Sequence, residues 1–219
     1  MNPAAAIDHT LLKSDATASE VASLCEEAVE YGFASVCVPP RFVRQAADLL
    51  YGSEVKTGTV VGFPLGYELM DIKAEQTAQA IQAGAEEIDM VIPLGAARER
   101  DFAAVTKDIR TVVARAEGRV VKVIIECCLF DLQTKTCLVA AVVSGGAQYV
   151  KTSTGFAATG ATLEDVRLLT QAAAGRIKVK AAGGIRDWLF CQELLQAGAV
   201  RIGTSAGVAI MAEWRQDAE

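Results

Sequence analysis

Histidine is almost absent from this sequence, since His9 is the only one among 219 residues. Histidine-based metal sites and Ser-His-Asp triads both need imidazole in a matched environment. The scarcity of histidine therefore argues strongly against either kind of site.

Long apolar runs and an excess of positive charge are missing as well. No apolar run reaches the ~20 residues that a membrane span requires. The first eight residues have no basic residue ahead of a very short apolar stretch, so we expect no signal peptide. The net charge is −6, which argues against nucleic acid or an anionic membrane as partner, because phosphate binding needs clustered Lys and Arg. An anionic substrate would have to be held by local donors.

The six cysteines form no C-x-x-C motif, and the chain is large enough to fold without disulfides. We therefore predict free thiols in a reducing, cytoplasmic environment. The cysteines are Cys25, Cys37, Cys127, Cys128, Cys137 and Cys191.

Strand-like and helix-like segments alternate along the whole chain. The strand segments are continuous apolar runs, which are typical of parallel strands buried on both faces. Strands are predicted at 5–9, 33–38, 56–62, 87–92, 120–126, 147–152, 177–181 and 199–203, and helices at 17–31, 40–50, 71–83, 101–116, 132–144, 163–174 and 187–197. Eight such units in this length favour an α/β fold of the (β/α)₈ TIM-barrel type, with residues 1–219 as one domain. A doubly wound parallel sheet is the alternative.

Helix signals support this division of the chain. Thr17 and Glu20 have the spacing of a capping box at the start of the first long helix. Glycine follows several of the predicted helices, where a left-handed residue ends the helix. These glycines are Gly32, Gly84, Gly118, Gly146, Gly175 and Gly198.

Two lysines stand at the ends of apolar strands, each followed by a glycine-bearing loop. Lys151 lies in the stretch 148–156 and Lys180 in the stretch 177–184. Lysine is rarely buried completely, so each position needs a reason; an amine that reaches out to solvent is the simple alternative. In a barrel, the carboxyl ends of the strands carry the active site. Lys178 points to the opposite face from Lys180 and is expected at the surface or against a helix.

The lysine pair suggests nucleophilic chemistry. An exposed lysine is protonated at pH 7 and is a poor nucleophile. A second ammonium ~4 Å away would repel it by about 4 kcal/mol at an effective dielectric of ~20. That repulsion would lower the pKa of Lys151 by up to about 3 units, and a neutral amine can form a Schiff base with a carbonyl. Neighbouring strands lie ~4.8 Å apart, so the side chains of Lys151 and Lys180 could meet across a one-residue stagger.

Three further charged residues on the predicted strands are candidates for a role in the site. Asp89 is a carboxylate inside an apolar strand, and it can be read as a proton shuttle or as a structural partner for a buried lysine. Glu126 ends its strand in a similar way and is a second candidate. Lys122 lies on the same predicted strand as Glu126 and points to the same face. It is a weaker candidate for an inward-facing polar group.

The loops contribute candidate substrate ligands. Glycine allows close approach of the backbone, and free N–H groups at helix starts attract anions. The last two turns follow the final two strands, where barrels frequently bind phosphate. The predicted binding residues are Thr10, Cys37, Thr154, Gly155, Gly183, Gly184, Gly203 and Ser205, although Cys37 can also be read as a packed thiol.

With these residues in view, the chain resembles the 2-deoxyribose-5-phosphate aldolase family of class I aldolases. The resemblance covers nearly the whole chain, in the strings 7–12, 36–39, 61–66, 87–92, 121–126, 150–156, 179–186 and 201–205. It implies that Lys151 forms the Schiff base with the acetaldehyde unit, that Lys180 perturbs its pKa, and that Asp89 takes part in proton transfer. By the same resemblance the phosphate site maps to Gly155, Gly183, Gly184, Gly203 and Ser205.

The resemblance also implies a reaction. It is the reversible cleavage of 2-deoxy-D-ribose 5-phosphate to D-glyceraldehyde 3-phosphate and acetaldehyde, in deoxyribonucleoside catabolism, with no metal or organic cofactor and with a homodimer as the expected assembly. The alternatives are another Schiff-base aldolase or transaldolase-like enzyme and a non-catalytic barrel that binds sugar phosphates. Pro93, Cys127 and Ala206 depart from the family's usual asparagine, threonine and second hydroxyl.

Overall fold

The computed structural model of the chain describes residues 2–217. Eight parallel strands close into a barrel in sequence order, because β1 pairs with both β2 and β8. The (β/α)₈ barrel is thus confirmed, and the doubly wound sheet is wrong. The strands are β1 Ile7–Thr10, β2 Ser35–Val38, β3 Lys56–Val61, β4 Glu87–Val91, β5 Val120–Ile124, β6 Tyr149–Lys151, β7 Lys178–Ala182 and β8 Arg201–Thr204.

The helices surround the barrel and fall close to the predicted segments. They are α1 Ala18–Tyr31, α2 Val43–Leu49, α3 Met70–Gln82, α4 Leu94–Arg98, α5 Phe102–Arg115, α6 Leu132–Gly145, α7 Leu163–Ala173, α8 Trp188–Gln196 and α9 Gly207–Asp217. Short 3₁₀ turns precede β1 and α2, at Ala4–Ala6 and Pro40–Phe42. The first strand therefore begins at Ile7, two residues later than predicted, and the predicted helix 40–50 is divided.

Two helices were not predicted. Helix α4 has five residues and buries only Ala97, so it offers no periodic pattern. Helix α9 buries Gly207, Ile210 and Met211, all within its first two turns, and its remaining residues are polar or partly exposed. An apolar stripe this short is too weak to stand out from a loop.

The predicted caps are present. The Thr17 hydroxyl accepts a hydrogen bond from the Glu20 N–H, and the Glu20 carboxylate accepts one from the Thr17 N–H at 2.8 Å, which completes the capping box. All six glycines expected after helices have positive φ angles, between 67° and 112°. The turns from helix to strand are therefore encoded locally.

Alternation along each strand separates an apolar shell from a polar interior. On β4, Ile88 and Met90 belong to the hydrophobic core between barrel and helices. Glu87 and Asp89, which alternate with these two residues, are also buried. Their carboxylates contact side chains on β5 to β8, so they lie inside the barrel. The charged residues of β4 thus face the barrel axis.

The six cysteines are free, as predicted, and four of them are buried. Within residues 2–217, no helix combines the length and the apolar character that crossing a membrane would demand.

Candidate active site

The two strand-end lysines meet inside the barrel. Lys151 and Lys180 are direct register partners on β6 and β7, so the one-residue stagger allowed for above does not occur. The Nζ atoms of both lysines lie 2.7 Å from the same atom, Oδ2 of Asp89. Both lysines are almost completely buried, which excludes the alternative in which they reach out to solvent.

Asp89 is the shared acceptor of this cluster. Besides the two hydrogen bonds to Oδ2, its Oδ1 atom lies 3.2 Å from Nζ of Lys122. Burial alone would raise the pKa of Asp89, but the lysines outweigh burial and hold the pKa well below its usual range. Asp89 is therefore a carboxylate that holds three amines together, so it serves as a structural partner and also stands where protons could be exchanged.

The two lysines differ in their tendency to carry charge. Burial lowers the pKa of Lys151; Asp89 counteracts this effect, and Lys180 adds to it by repulsion. Burial also acts against the charged form of Lys180, but Asp8, whose Oδ2 is 2.5 Å from Nζ, and Asp89 together raise its pKa. Lys151 is thus biased toward the neutral amine and Lys180 toward the ammonium. Burial lowers the pKa of Lys151 more than Lys180 does. The prediction that repulsion by Lys180 is the main cause is therefore wrong.

A second group of charges lies toward the amino ends of the strands. Lys122 faces inward, as predicted, and forms ion pairs with Glu87 and with Asp8. The guanidinium of Arg201 contacts both of these carboxylates: Nε lies 2.7 Å from Oδ1 of Asp8, and Nη2 lies 2.8 Å from Oε2 of Glu87. Ser35 donates a hydrogen bond of 2.7 Å to Asp8. Glu87 and Arg201 were not predicted as site residues. Glu87 lies two residues before Asp89 and Arg201 two residues before Gly203, so the alternation of each strand indicates that their side chains face inward.

A cavity of about 490 Å³ opens above the lysine pair, at the carboxyl ends of the strands. Lys151 lies at its floor, while Lys13, Arg186 and Phe156 extend its wall. It is lined by all the predicted binding residues except Cys37, namely Thr10, Thr154, Gly155, Gly183, Gly184, Gly203 and Ser205. The three glycine-bearing turns therefore converge as expected.

The loop after β6 packs closely against the loop after β7. A Cβ atom added to Gly183, whose φ is 91°, would lie 2.9 Å from Cα of Gly160 and 3.4 Å from Cα of Gly155. Glycine is thus needed at this contact, because a side chain would force apart the two loops that line the cavity.

Glu126 supports this loop instead of lining the cavity. Its buried carboxylate accepts hydrogen bonds from the N–H and the hydroxyl of Thr154, and its own φ is 53°. The Thr154 hydroxyl also accepts a bond from the N–H of Phe156 at 3.0 Å. Both Glu126 and the Thr154 hydroxyl are therefore occupied in shaping the turn after Lys151.

The structure corrects the placement of Cys37 at the mouth of the site. Its side chain is buried and absent from the cavity lining, and it lies beside Asp89 and the lysines inside the barrel. Burial raises the pKa of the thiol to about 11, which matches the packed-thiol alternative. His9 lies outside the barrel, where its Nε2 is 2.6 Å from Glu27 on α1 and its ring packs against Phe33.

Comparison with known proteins assigns this arrangement to a family. Residues 4–213 match the model of the DeoC/LacD family aldolases. The chain belongs to the DeoC/LacD aldolase family. The resemblance stated from the sequence and the activity class, that of an aldolase, are thereby confirmed.

Similar proteins span the full length of this aldolase. A deoxyribose-phosphate aldolase from Syntrophotalea carbinolica is 56% identical over 218 residues, which cover 100% of this chain and 99% of the relative. A deoxyribose-phosphate aldolase from Geobacillus sp. is 52% identical over 96% of this chain and 95% of the relative. The tetrameric deoxyribose phosphate aldolase from Aeropyrum pernix superposes with a TM-score of 0.91 at 35% identity, over 97% of this chain and 90% of that one.

The departures from the family's usual residues lie in the segments that follow β4, β5 and β8. Pro93 precedes the short helix α4, and Cys127 is buried and donates its N–H to the carbonyl of Thr152 at 2.8 Å. The N–H of Ala206 donates to the Thr204 hydroxyl at 2.9 Å. None of these three side chains lines the cavity above Lys151 within the described residues.

Proposed function

We propose that this aldolase reversibly cleaves 2-deoxy-D-ribose 5-phosphate to D-glyceraldehyde 3-phosphate and acetaldehyde through a Schiff base on Lys151. The observation that carries the proposal is a buried lysine with a lowered pKa, which shares Asp89 with a second lysine at the floor of a cavity. The full-length similarity to deoxyribose-phosphate aldolases supports the choice of substrate.

The proposed reaction begins with attack of the neutral Lys151 amine on the C1 aldehyde of the open-chain sugar. Loss of water gives an iminium ion, which acts as the electron sink. Removal of the C3 hydroxyl proton then breaks the C2–C3 bond; glyceraldehyde 3-phosphate leaves, and the bonding electrons remain as an enamine. Protonation of the enamine at C2 and hydrolysis release acetaldehyde and restore the amine. Asp89, Lys180 and water move these protons.

The phosphate group is proposed to bind at the rim of the cavity. Gly155, Gly183, Gly184, Gly203 and Ser205 offer backbone N–H groups and a hydroxyl without bulky side chains. Such local donors are required because the chain as a whole is acidic. Thr10 and Thr154 would contact the sugar or shape its pocket.

Borohydride trapping tests the proposal directly. Reduction in the presence of deoxyribose 5-phosphate should add the mass of the reduced two-carbon or five-carbon adduct, and peptide mapping should place it on Lys151. Lys178→Leu is the matched control and should label as the wild type does, because Lys178 is exposed on the other side of the sheet. An adduct on another residue, or none, would contradict the assignment of Lys151.

Turnover assays separate the alternative functions. An enzyme that uses dihydroxyacetone phosphate instead of acetaldehyde as the donor would be a different Schiff-base aldolase. A barrel that binds the sugar phosphate without exchanging the methyl protons of acetaldehyde with solvent would be a binding protein.

We further propose a cytoplasmic homodimer with one barrel domain over residues 1–219. Exposed apolar side chains such as Tyr67 and Leu69 support self-association, since they would be shielded from water in an assembly. Analytical ultracentrifugation distinguishes a dimer from a monomer and from a tetramer such as that of the Aeropyrum pernix relative.

A further inference from the structure

The charged side chains inside the barrel form one connected set, which we call the interior network. Each member has a direct ion pair to another member, and each side chain is at most 11% exposed. The interior network consists of the carboxylates Asp8, Glu87 and Asp89 and the bases Lys122, Lys151, Lys180 and Arg201.

The bases outnumber the carboxylates by one. An uncompensated charge in a buried site is costly, so the network is most stable when one base is neutral. Arg201 cannot be that base, since a guanidinium stays protonated in proteins. The choice therefore falls among the three lysines.

Contacts with carboxylates decide which lysine is neutral. Lys122 contacts three carboxylates, and Lys180 contacts two. Among the described residues, Lys151 contacts one carboxylate, that of Asp89, whose Oδ2 it shares with Lys180. Lys151 thus has the least compensation for a positive charge, and the lowered pKa that burial gives it agrees with this ranking.

We propose that Arg201 is a positioning residue that keeps Lys151 neutral, because its fixed charge occupies Asp8 and Glu87 and completes the charge balance without Lys151. This inference rests on the proposed role of Lys151 as nucleophile. Arg201 lies on β8, where it is the register partner of Lys180, and it does not line the cavity. It therefore acts through the network and not on the substrate.

The surroundings of both residues contain few other titratable groups. Lys151 is faced by Asp89 from β4, Lys180 from β7 and the Cys37 thiol from β2, and that thiol is neutral because its pKa is raised to about 11. Arg201 is faced by Asp8 from β1, Ser35 from β2, Glu87 from β4, Lys122 from β5 and Lys180 from β7. Within residues 2–217, the ion pairs of Arg201 all belong to the interior network, so a change at Arg201 alters the balance of this network.

The test is the acid limb of the pH profile of kcat/KM, which reports the pKa of the essential base in the free enzyme. Arg201→Met leaves three carboxylates against Lys122 and Lys180, so Lys151 should take up a proton more readily. We expect the limb to move to higher pH by about one unit, which lowers kcat/KM about tenfold on the acid side. Glu87→Gln removes a carboxylate and should move the limb to lower pH.

Two further variants separate charge from shape. The double variant Arg201→Met/Glu87→Gln removes one charge of each sign and should bring the limb back toward that of the wild type. Arg201→Lys keeps the positive charge and should leave the limb close to its original place. A residue with a merely structural role would lower activity at every pH without opposite shifts in the two single variants.

Two results would overturn the inference. One is a limb that stays in place in folded Arg201→Met and Glu87→Gln, as judged by circular dichroism; the other is a shift of both in the same direction. If Arg201→Met does not fold, Glu87→Gln and the double variant still decide. Trapping of the wild type tests Lys151 separately, so a labelled Lys151 with an unmoved limb would reject only the role of Arg201.

Discussion

Buried lysines occur in two settings in this barrel, inside it and beneath its helices. Outside the barrel, Lys73 on α3 pairs with Asp108 on α5 at 2.8 Å, and Lys135 on α6 pairs with Asp165 on α7 at 2.5 Å. Each of these lysines has one carboxylate of its own. In the interior network, by contrast, four bases share three carboxylates, and one oxygen of Asp89 serves two lysines.

The comparison shows that burial alone does not make a lysine reactive. A lysine with its own carboxylate has a full partner for its positive charge, and its role is to join two helices. A lysine that must share a carboxylate with a better-compensated neighbour can lose its proton at little cost. On the proposed function, the ratio of bases to carboxylates distinguishes the reactive lysine from the structural ones.

The sharpest test of this comparison is to remove one lysine from each setting. Lys151→Leu should lower the rate of deoxyribose 5-phosphate cleavage by at least about 10⁴-fold, because no other amine at the cavity floor is biased toward neutrality. Lys73→Met should keep kcat within about threefold of the wild type below its melting temperature, because it is remote from the cavity. Steady-state assays measure the activity of both variants. Substantial cleavage by Lys151→Leu would contradict the distinction between the two kinds of buried lysine.

The same two variants should rank in the opposite order by their effect on stability: Lys73→Met should lower the free energy of unfolding more than Lys151→Leu does. Lys73→Met leaves Asp108 buried without a partner and should lower the free energy of unfolding by about 3–5 kcal/mol. Lys151→Leu should cost less than about 1 kcal/mol, because Asp89 keeps Lys122 and Lys180. Urea unfolding followed by circular dichroism gives both values. The double variant Lys73→Met/Asp108→Leu is the control and should recover most of the loss.

Lys178 and Lys180 lie on the same strand, β7, and allow a buried and an exposed lysine to be compared directly. Lys180→Leu removes a charge from the interior network, so the pKa of Lys151 should rise and kcat/KM at pH 7 should fall about a hundredfold. Since a raised pKa delays deprotonation, part of the loss should be recovered at higher pH. Lys178→Leu should change neither, because Lys178 is exposed and lies over the ring of Tyr149 at 5.5 Å. A loss that does not depend on pH would contradict the electrostatic role of Lys180.

The smallest effect is expected at the rim of the cavity. Gly183→Ala should raise KM about tenfold with kcat nearly unchanged, because the added methyl group presses against Gly160 and Gly155 and displaces the proposed phosphate loop. Gly175→Ala is the matched control, since it also has a positive φ, 73°, but has open space around it. It should lower stability without affecting KM. Equal KM values in the two variants would show that the loop after β7 is not part of the phosphate site.

Much of the site could be predicted from the sequence, because the alternation of a strand and the position of its carboxyl end are local properties. Lys151, Lys180 and Asp89 share that signal, and so does the inward orientation of Lys122. Which cause dominates the pKa of Lys151 could not be predicted, since it depends on burial by strands that are distant in sequence.

The charges nearer the bottom of the barrel were harder to predict. Glu87 and Arg201 stand at the starts of their strands, and a rule that looks only at the carboxyl ends discards them. Lys73 lies in a predicted helix and has no local pattern that marks it as buried, yet it is fully buried and pairs with Asp108, 35 residues away. Contacts of this kind follow from how helices pack and leave no mark in the local pattern.

The ion pair between Asp8 and Arg201 joins residues that are 193 positions apart, on the first and last strands of the barrel. During synthesis, the reactive lysine leaves the ribosome some fifty residues before the arginine that completes its electrostatic environment. A growing chain therefore carries Lys151 as an ordinary protonated side chain. On our proposal it gains the lowered pKa that makes it a good nucleophile only when the barrel closes, so its reactivity depends on folding of the chain through the last strand.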